Sequence, residues 1–255
     1  MFKPDFDKTA NGSVSKINML NKDPLGYFIL SMMAGAFIGV GVLLAFTVGG
    51  QLDGAAYTKV VMGLSFGVAL SLVVMAGGEL FTGNNMVMTM GVLGKKIRMS
   101  DAVKLWVICW IGNLAGGILL ALIYHLTGLC TGPVATFMAS AAAAKMSAGI
   151  VPLITRGILC NFLVCLAVWS AGRAASDAGK LIMIFWCLFA FITTGFEHSL
   201  ANMTLMTVAL LNPAEQAVSI GGYFYNLLFV TIGNIIGGAV FVALPYYAAS
   251  RKDDQ

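Results

Sequence analysis

Six long apolar stretches alternate with short polar connections along this chain. A helix needs about 20 apolar residues to cross a bilayer. The pattern predicts spans over Leu25–Val48, Lys59–Val92, Val103–Leu126, Val151–Ala171, Leu181–Leu211 and Val218–Tyr247. The second and fifth stretches are too long for one plain helix, and each carries polar residues near its middle. Each is expected to be discontinuous, with two half-helices joined by unwound backbone. Such backbone persists at membrane depth only where protein buries it or where it lines a cavity. The expected organisation is an N-terminal segment (1–24), a six-helix membrane domain (25–248) and a short tail (249–255). Within the N-terminal segment, Val14, Ile17 and Leu20 suggest an amphipathic helix over Asp7–Lys22. The Ala-rich Ala139–Lys145 stretch predicts a short helix or re-entrant element before span four.

The two halves of the chain repeat each other. Gly112-Asn113-Leu114-Ala115-Gly116-Gly117 in span three and Gly233-Asn234-Ile235-Ile236-Gly237-Gly238 in span six both read G-N-x-x-G-G. In the broken spans, Glu79, Gly83, Asn84, Met88 and Thr89 share the spacing of Glu197, Ala201, Asn202, Met206 and Thr207. Two matches in the same order imply a duplicated unit of three spans. An odd number of spans inserts the two copies in opposite directions. Inverted repeats with interrupted helices place a solute path near the midplane, between the halves.

Composition agrees with a lipid environment. The 255 residues are only 10% charged, against about 25% in soluble domains, and the mean hydropathy is +0.88. The net charge of +4 includes no basic or acidic block, so no nucleic-acid partner is expected. Lys3, Lys8, Lys16, Lys22, Lys95, Lys96, Arg98, Lys104, Arg173, Lys180, Arg251 and Lys252 fall on one side of the predicted topology. Lys59, Lys145 and Arg156 fall on the other. Lys and Arg concentrate in cytoplasmic loops, so both termini are expected in the cytoplasm. No apolar signal-peptide core precedes the first span. The five cysteines have no metal-ligand spacing, and four lie in apolar runs. Buried free thiols are expected, with neither a metal nor a cofactor.

Ionisable groups inside spans are costly and usually face a pathway or a partner. Here they are Glu79, Glu197 and His198. His198, beside a helix break, is a candidate pore residue able to offer an N–H or a charge to an anion. Glu79 and Glu197 would repel an anion, and are expected to bond backbone N–H groups freed by the breaks, with Asn84 and Asn202 beside them. Thr82 reads as a pore hydroxyl, as a helix N-cap, or as both together. The half-helix that follows it favours anions at its N-terminus. Lys145 reads equally as a solvated lysine or as an electrostatic attractor. His125 is read as structural. No nucleophile–base pair is visible, so an enzyme is not expected.

With these residues in view, the chain resembles the formate/nitrite transporter family over nearly its whole length. The resemblance is carried by Ala34-Gly35-Ala36-Phe37-Ile38-Gly39, Gly78-Glu79-Leu80-Phe81-Thr82-Gly83, Leu159-Cys160-Asn161-Phe162-Leu163-Val164-Cys165-Leu166-Ala167 and Gly195-Phe196-Glu197-His198-Ser199-Leu200-Ala201-Asn202-Met203. It implies an all-α, aquaporin-like fold in the inner membrane, assembled as a homopentamer with one pore per protomer. It implies that Thr82 and His198 face the pore centrally. Phe66, Leu70, Leu80 and Phe191 would form two apolar constrictions, with Lys145 and Asn161 as polar residues beside the pore. It implies formate, nitrite or hydrosulfide as the permeating anion. The Phe81–Asn85 stretch looks most like the hydrosulfide branch. It also implies that the N-terminal segment helps gate the cytoplasmic mouth. Two other readings fit the repeats: a proton-coupled anion transporter, and a neutral-solute channel suggested by the aquaporin-like Asn212-Pro213-Ala214.

Overall fold

The computed structural model of the chain describes residues 2–251. Met1 and residues 252–255, which include Lys252 of the basic tail, lie outside the described residues. Among those described the secondary structure is entirely helical, in the order α1 (Lys3–Lys22), α2 (Pro24–Gln51), α3 (Thr58–Phe66), α4 (Val68–Leu72), a π-helical turn (Val73–Gly77), α5 (Phe81–Leu93), α6 (Met99–Leu126), α7 (Gly132–Met146), α8 (Ile150–Arg173), α9 (Asp177–Thr194), α10 (Ser199–Leu211), α11 (Ile220–Gly238), a second π-helical turn (Ala239–Ala243) and α12 (Leu244–Ser250). Six of these runs are long and apolar enough to cross a membrane. The chain is a multi-pass membrane protein.

Local sequence sets the helix starts. Asp23, Ser176 and Ser219 each precede a span and accept the backbone N–H three residues on, at 2.8, 3.1 and 3.0 Å. Each is an N-cap that satisfies an otherwise orphaned donor. Pro24, at the first position of α2, needs no such partner. Both long apolar stretches are broken as expected. The second divides at Gly78–Leu80, after Gly77 in the left-handed region (φ +88°), and the fifth divides after Gly195 (φ +81°). A glycine at these positions turns the chain without the steric cost of a Cβ.

The G-N-x-x-G-G repeats bring helices into backbone contact. A methyl at Gly116 would overlap the Met32 carbonyl, and one at Gly35 would overlap the Asn113 carbonyl. In the second half, a methyl at Gly233 or Gly237 would overlap the Ile154 or Ile158 carbonyl. Thus α2 packs on α6 as α8 packs on α11. In lipid, where apolar burial gives no net drive between helices, such close van der Waals contact is a main source of association.

The repeat extends further than the sequence suggested, because α1 stands to the first half as α7 stands to the second. The buried face of α1 is Phe6, Ala10, Ser13 and Leu20, with Ile17 partly covered. This corrects the expected Val14–Ile17–Leu20 stripe, whose spacing of three drifts around a helix of 3.6 residues per turn. The start of α1 is tied to the end of α8 and to α12. Arg173 pairs with Asp5 at 3.2 Å, Lys8 donates to the Gly172 carbonyl at 2.9 Å, and Phe2 and Phe6 pack on Tyr246 and Tyr247. Both ends of the described chain therefore lie on one face. All five cysteines are buried and free.

Replacing Gly116 or Gly237 by alanine is expected to abolish the monodisperse peak on size-exclusion chromatography in detergent. Gly83→Ala is expected to be tolerated, because its methyl would meet only Val168 at an ordinary 3.5 Å and the repeat carries Ala201 at the equivalent position. Equal behaviour of all three variants would remove the close-packing argument.

Candidate functional site

Each helix break is closed by one asparagine. Asn113 accepts the Phe81 N–H at 2.9 Å and donates to the carbonyls of Glu79 at 2.8 Å and Ser31 at 2.6 Å. Asn234 accepts the Ser199 N–H at 3.0 Å and donates to the carbonyls of Glu197 at 3.0 Å and Gly157 at 2.9 Å. The Glu79 N–H reaches the Leu30 carbonyl at 3.1 Å, and the Glu197 N–H reaches the Arg156 carbonyl at 3.3 Å. These carboxamides are the asparagines of the two G-N-x-x-G-G motifs. One amide group acts as both acceptor and donor, which is the need at a break that frees an N–H and a C=O together.

The carboxylates do not take the role the sequence suggested. Neither bonds the freed backbone N–H groups. Glu79 receives Lys16 Nζ at 2.6 and 2.7 Å, Asn84 Nδ2 at 3.0 Å and the Tyr27 hydroxyl at 3.1 Å. Glu197 receives Lys145 Nζ at 2.8 Å on both oxygens and Asn202 Nδ2 at 2.7 Å. The physical reason is charge. A buried carboxylate needs a counter-ion, whereas a backbone N–H can be satisfied by a neutral amide. Lys145 is thus neither a solvated lysine nor an uncompensated attractor, since its side chain is 18% exposed and fully engaged by Glu197.

Between the breaks lies a small chamber of about 10 Å³, lined by Ile38, Phe66, Leu70, Leu80, Val164, Leu188, Phe191 and His198. That is room for about one water-sized particle. A funnel of about 200 Å³ adjoins it, opening on the face opposite the termini, with Lys59, Lys145, Phe46 and Phe137 in its wall. Phe66, Phe191 and His198 line both cavities. The two phenylalanines meet edge to face at 5.5 Å and 80°, and they separate funnel from chamber. Leu70 and Leu80 line the chamber alone. On the termini face, Lys16, Lys8 and Arg173 border a separate recess of about 210 Å³ under α1.

His198 is the N-cap of α10 and lies within the chamber wall. Its Nδ1 accepts the Ala201 N–H at 3.2 Å. Because Nδ1 supplies a lone pair there, the proton of the neutral ring resides on Nε2. Nε2 lies 3.1 Å from Thr82 Oγ1. Nε2–H donates to that oxygen, and the Thr82 hydroxyl proton is left for another acceptor. Thr82 itself is one residue inside α5, whose N-cap is Leu80, so the N-cap reading of Thr82 fails. Asn161 is fully buried and lines neither cavity. It bonds the carbonyls of Thr82 at 3.2 Å and Asn234 at 2.6 Å, and Asn85 Oδ1 at 3.1 Å, tying the half-helix α5 to α11. His125 bonds Asn212 at 3.0 Å. Asn212 caps the end of α10, so Asn212-Pro213-Ala214 is a turn rather than a half-helix start. Among the described residues no group of three potential metal ligands occurs.

The sequence model of the formate/nitrite transporter family matches residues 5–248. The chain belongs to the formate/nitrite transporter family. The nitrite transporter NirC of Escherichia coli (strain K12) is 42% identical over 253 residues, covering 99% of this chain and 94% of that protein. A solved "FNT family ion channel" superposes with a TM-score of 0.93 at 40% identity, covering 96% of this chain and 98% of the other. A "pentameric formate channel with formate bound" superposes with a TM-score of 0.79 at 30% identity, covering 89% and 98%. The family is one of transporters and channels, not enzymes.

Lys16, Tyr27, Asn113 and Asn234 are site-building residues the sequence reading missed. The asparagines stood in the quoted repeat but were given no role of their own. Lys16 had no signal, because α1 and α7 share position but no visible sequence. Replacing Asn113 or Asn234 by leucine would strand the buried Phe81 or Ser199 N–H and take a donor from two carbonyls. Each orphan costs about 1–3 kcal/mol, so both variants are expected to unfold in detergent at a markedly lower temperature than wild type. An unchanged midpoint would show that the breaks hold without these amides.

Proposed function

We propose that each protomer conducts the small monovalent anion of a weak acid, and that protomers assemble as a homopentamer in the inner membrane with both termini cytoplasmic. The observation that carries this reading is His198, whose ring lines an apolar chamber too small for a hydrated ion while its Nε2 contacts buried Thr82. The relatives named for nitrite and formate support the substrate class, and the pentameric channel supports the assembly. Nitrite and formate are the first substrates to test. Hydrosulfide, suggested by Phe81–Asn85, is the third.

The chamber walls set the mechanism. Burying a bare charge among Phe66, Leu70, Leu80 and Phe191 costs far more than burying a polar neutral molecule. The anion therefore enters the funnel as A⁻, takes a proton from water, crosses as HA and releases the proton on the far side. His198, held toward the Thr82 hydroxyl, is the polar side chain that the chamber wall offers to the passing oxygen or sulfur. Lys145 holds Glu197 neutralised, so no net negative charge repels the anion at the funnel base.

Uptake into proteoliposomes is expected to rise as the outer pH falls, because the protonated fraction of the acid rises. His198→Asn should lower that uptake at every pH while keeping its rise with falling pH. Equal and pH-independent uptake by wild type and variant would discard the mechanism. Leu80→Ala should widen the constriction and admit larger monocarboxylates. Swelling assays with a graded anion series check this, and an unchanged size cut-off would take Leu80 out of the constriction.

A further inference from the structure

Lys145 in the funnel wall is neutralised by Glu197. That wall holds one other cation, Lys59, at the second position of α3. Lys59 is exposed, and among the described residues it makes no ion pair. Asp53, in the preceding connection, does not reach it. The Lys145 ammonium, by contrast, lies 2.8 Å from its carboxylate. The charged residues lining the funnel are therefore Lys59 and Lys145, and buried Glu197 behind the wall cancels the second. The remaining wall near the mouth is aromatic and aliphatic, including Phe46, Phe137 and Met62. Low-dielectric walls focus the field of a single charge along a cleft.

We propose that Lys59 is the anion-loading residue of the outer funnel, raising the local concentration of small anions ahead of the Phe66–Phe191 constriction. This rests on the conducting function proposed above. Lys59 acts on arrival alone. It lies outside the Thr82–His198 pair, so flux at saturating substrate does not depend on it. A single exposed charge acting over several ångströms of partly screened solvent is expected to change arrival by about threefold at low ionic strength. The effect should vanish in high salt, where the screening length falls to about 3 Å.

The test uses full-length protein in liposomes, with nitrite or formate added outside at concentrations well below saturation. Lys59→Gln should lower initial uptake about threefold in low salt, and should match wild type in about 1 M salt or at saturating anion. Lys59→Cys allows the charge to be restored or inverted in place, because the native cysteines are all buried. A thiol reagent that attaches an ethylammonium group should return uptake to the wild-type level. One that attaches an ethylsulfonate should depress it below that of Lys59→Gln. Uptake by a conducting Lys59→Cys protein that is indifferent to the sign of the attached group would overturn the assignment. Absence of anion uptake in wild type would overturn the conducting function as well. The substituted position is exposed, so misfolding is not expected, and the saturating rate of each variant reports it directly.

Discussion

No backbone polar group can be left unpaired in hydrocarbon, and this constraint governs the whole molecule. An unbroken helix meets it internally. Two interrupted helices at membrane depth do not, and each must import partners for the groups it frees. Asn113 and Asn234 supply those partners from a neighbouring helix. They can reach only because Gly112, Gly116, Gly233 and Gly237 let α6 and α11 lie against α2 and α8. The small residues and the asparagines of one short motif are therefore two parts of one device. The glycines set the distance, and the amides use it.

The same constraint explains the charges. Glu79 and Glu197 sit beside the breaks, and each is matched by one lysine and one asparagine. The lysines come from α1 on the termini face and α7 on the opposite face, so the pseudo-symmetry includes a helix that sequence alone left as a peripheral segment. Pairing removes net charge from the base of each break. What remains near the middle is a neutral imidazole, a hydroxyl and an apolar wall. Under the proposed function, this arrangement passes a neutral acid more readily than an ion.

Hydrogen bonding also fixes the histidine. Nδ1 is committed to the α10 backbone, which orients the ring and leaves Nε2 toward Thr82. An imidazolium would have to give up its bond to Ala201. His198 is thereby suited to donate a hydrogen bond, more than to carry a permanent charge. Asn161, which ties Thr82's carbonyl to the second half of the repeat, keeps the two residues within contact distance.

The sequence by itself determined the six spans, the two interruptions, the duplicated three-span unit and the family. These are written in local hydropathy and in short motifs, and lipid leaves few alternatives to helix for an apolar run. It also drew attention to His198, Thr82, Glu79 and Glu197, since polar residues are conspicuous in such a background. Only the tertiary structure decided who bonds to whom. Lys16 lies 63 positions from Glu79, Lys145 lies 52 from Glu197, and Thr82 lies 116 from His198. No local pattern encodes pairs so distant, because a side chain's partner is set by which helices the close-packed glycines bring together. For that reason the sequence could show that Lys145 is charged and near a pathway, and could not show that Glu197 cancels it.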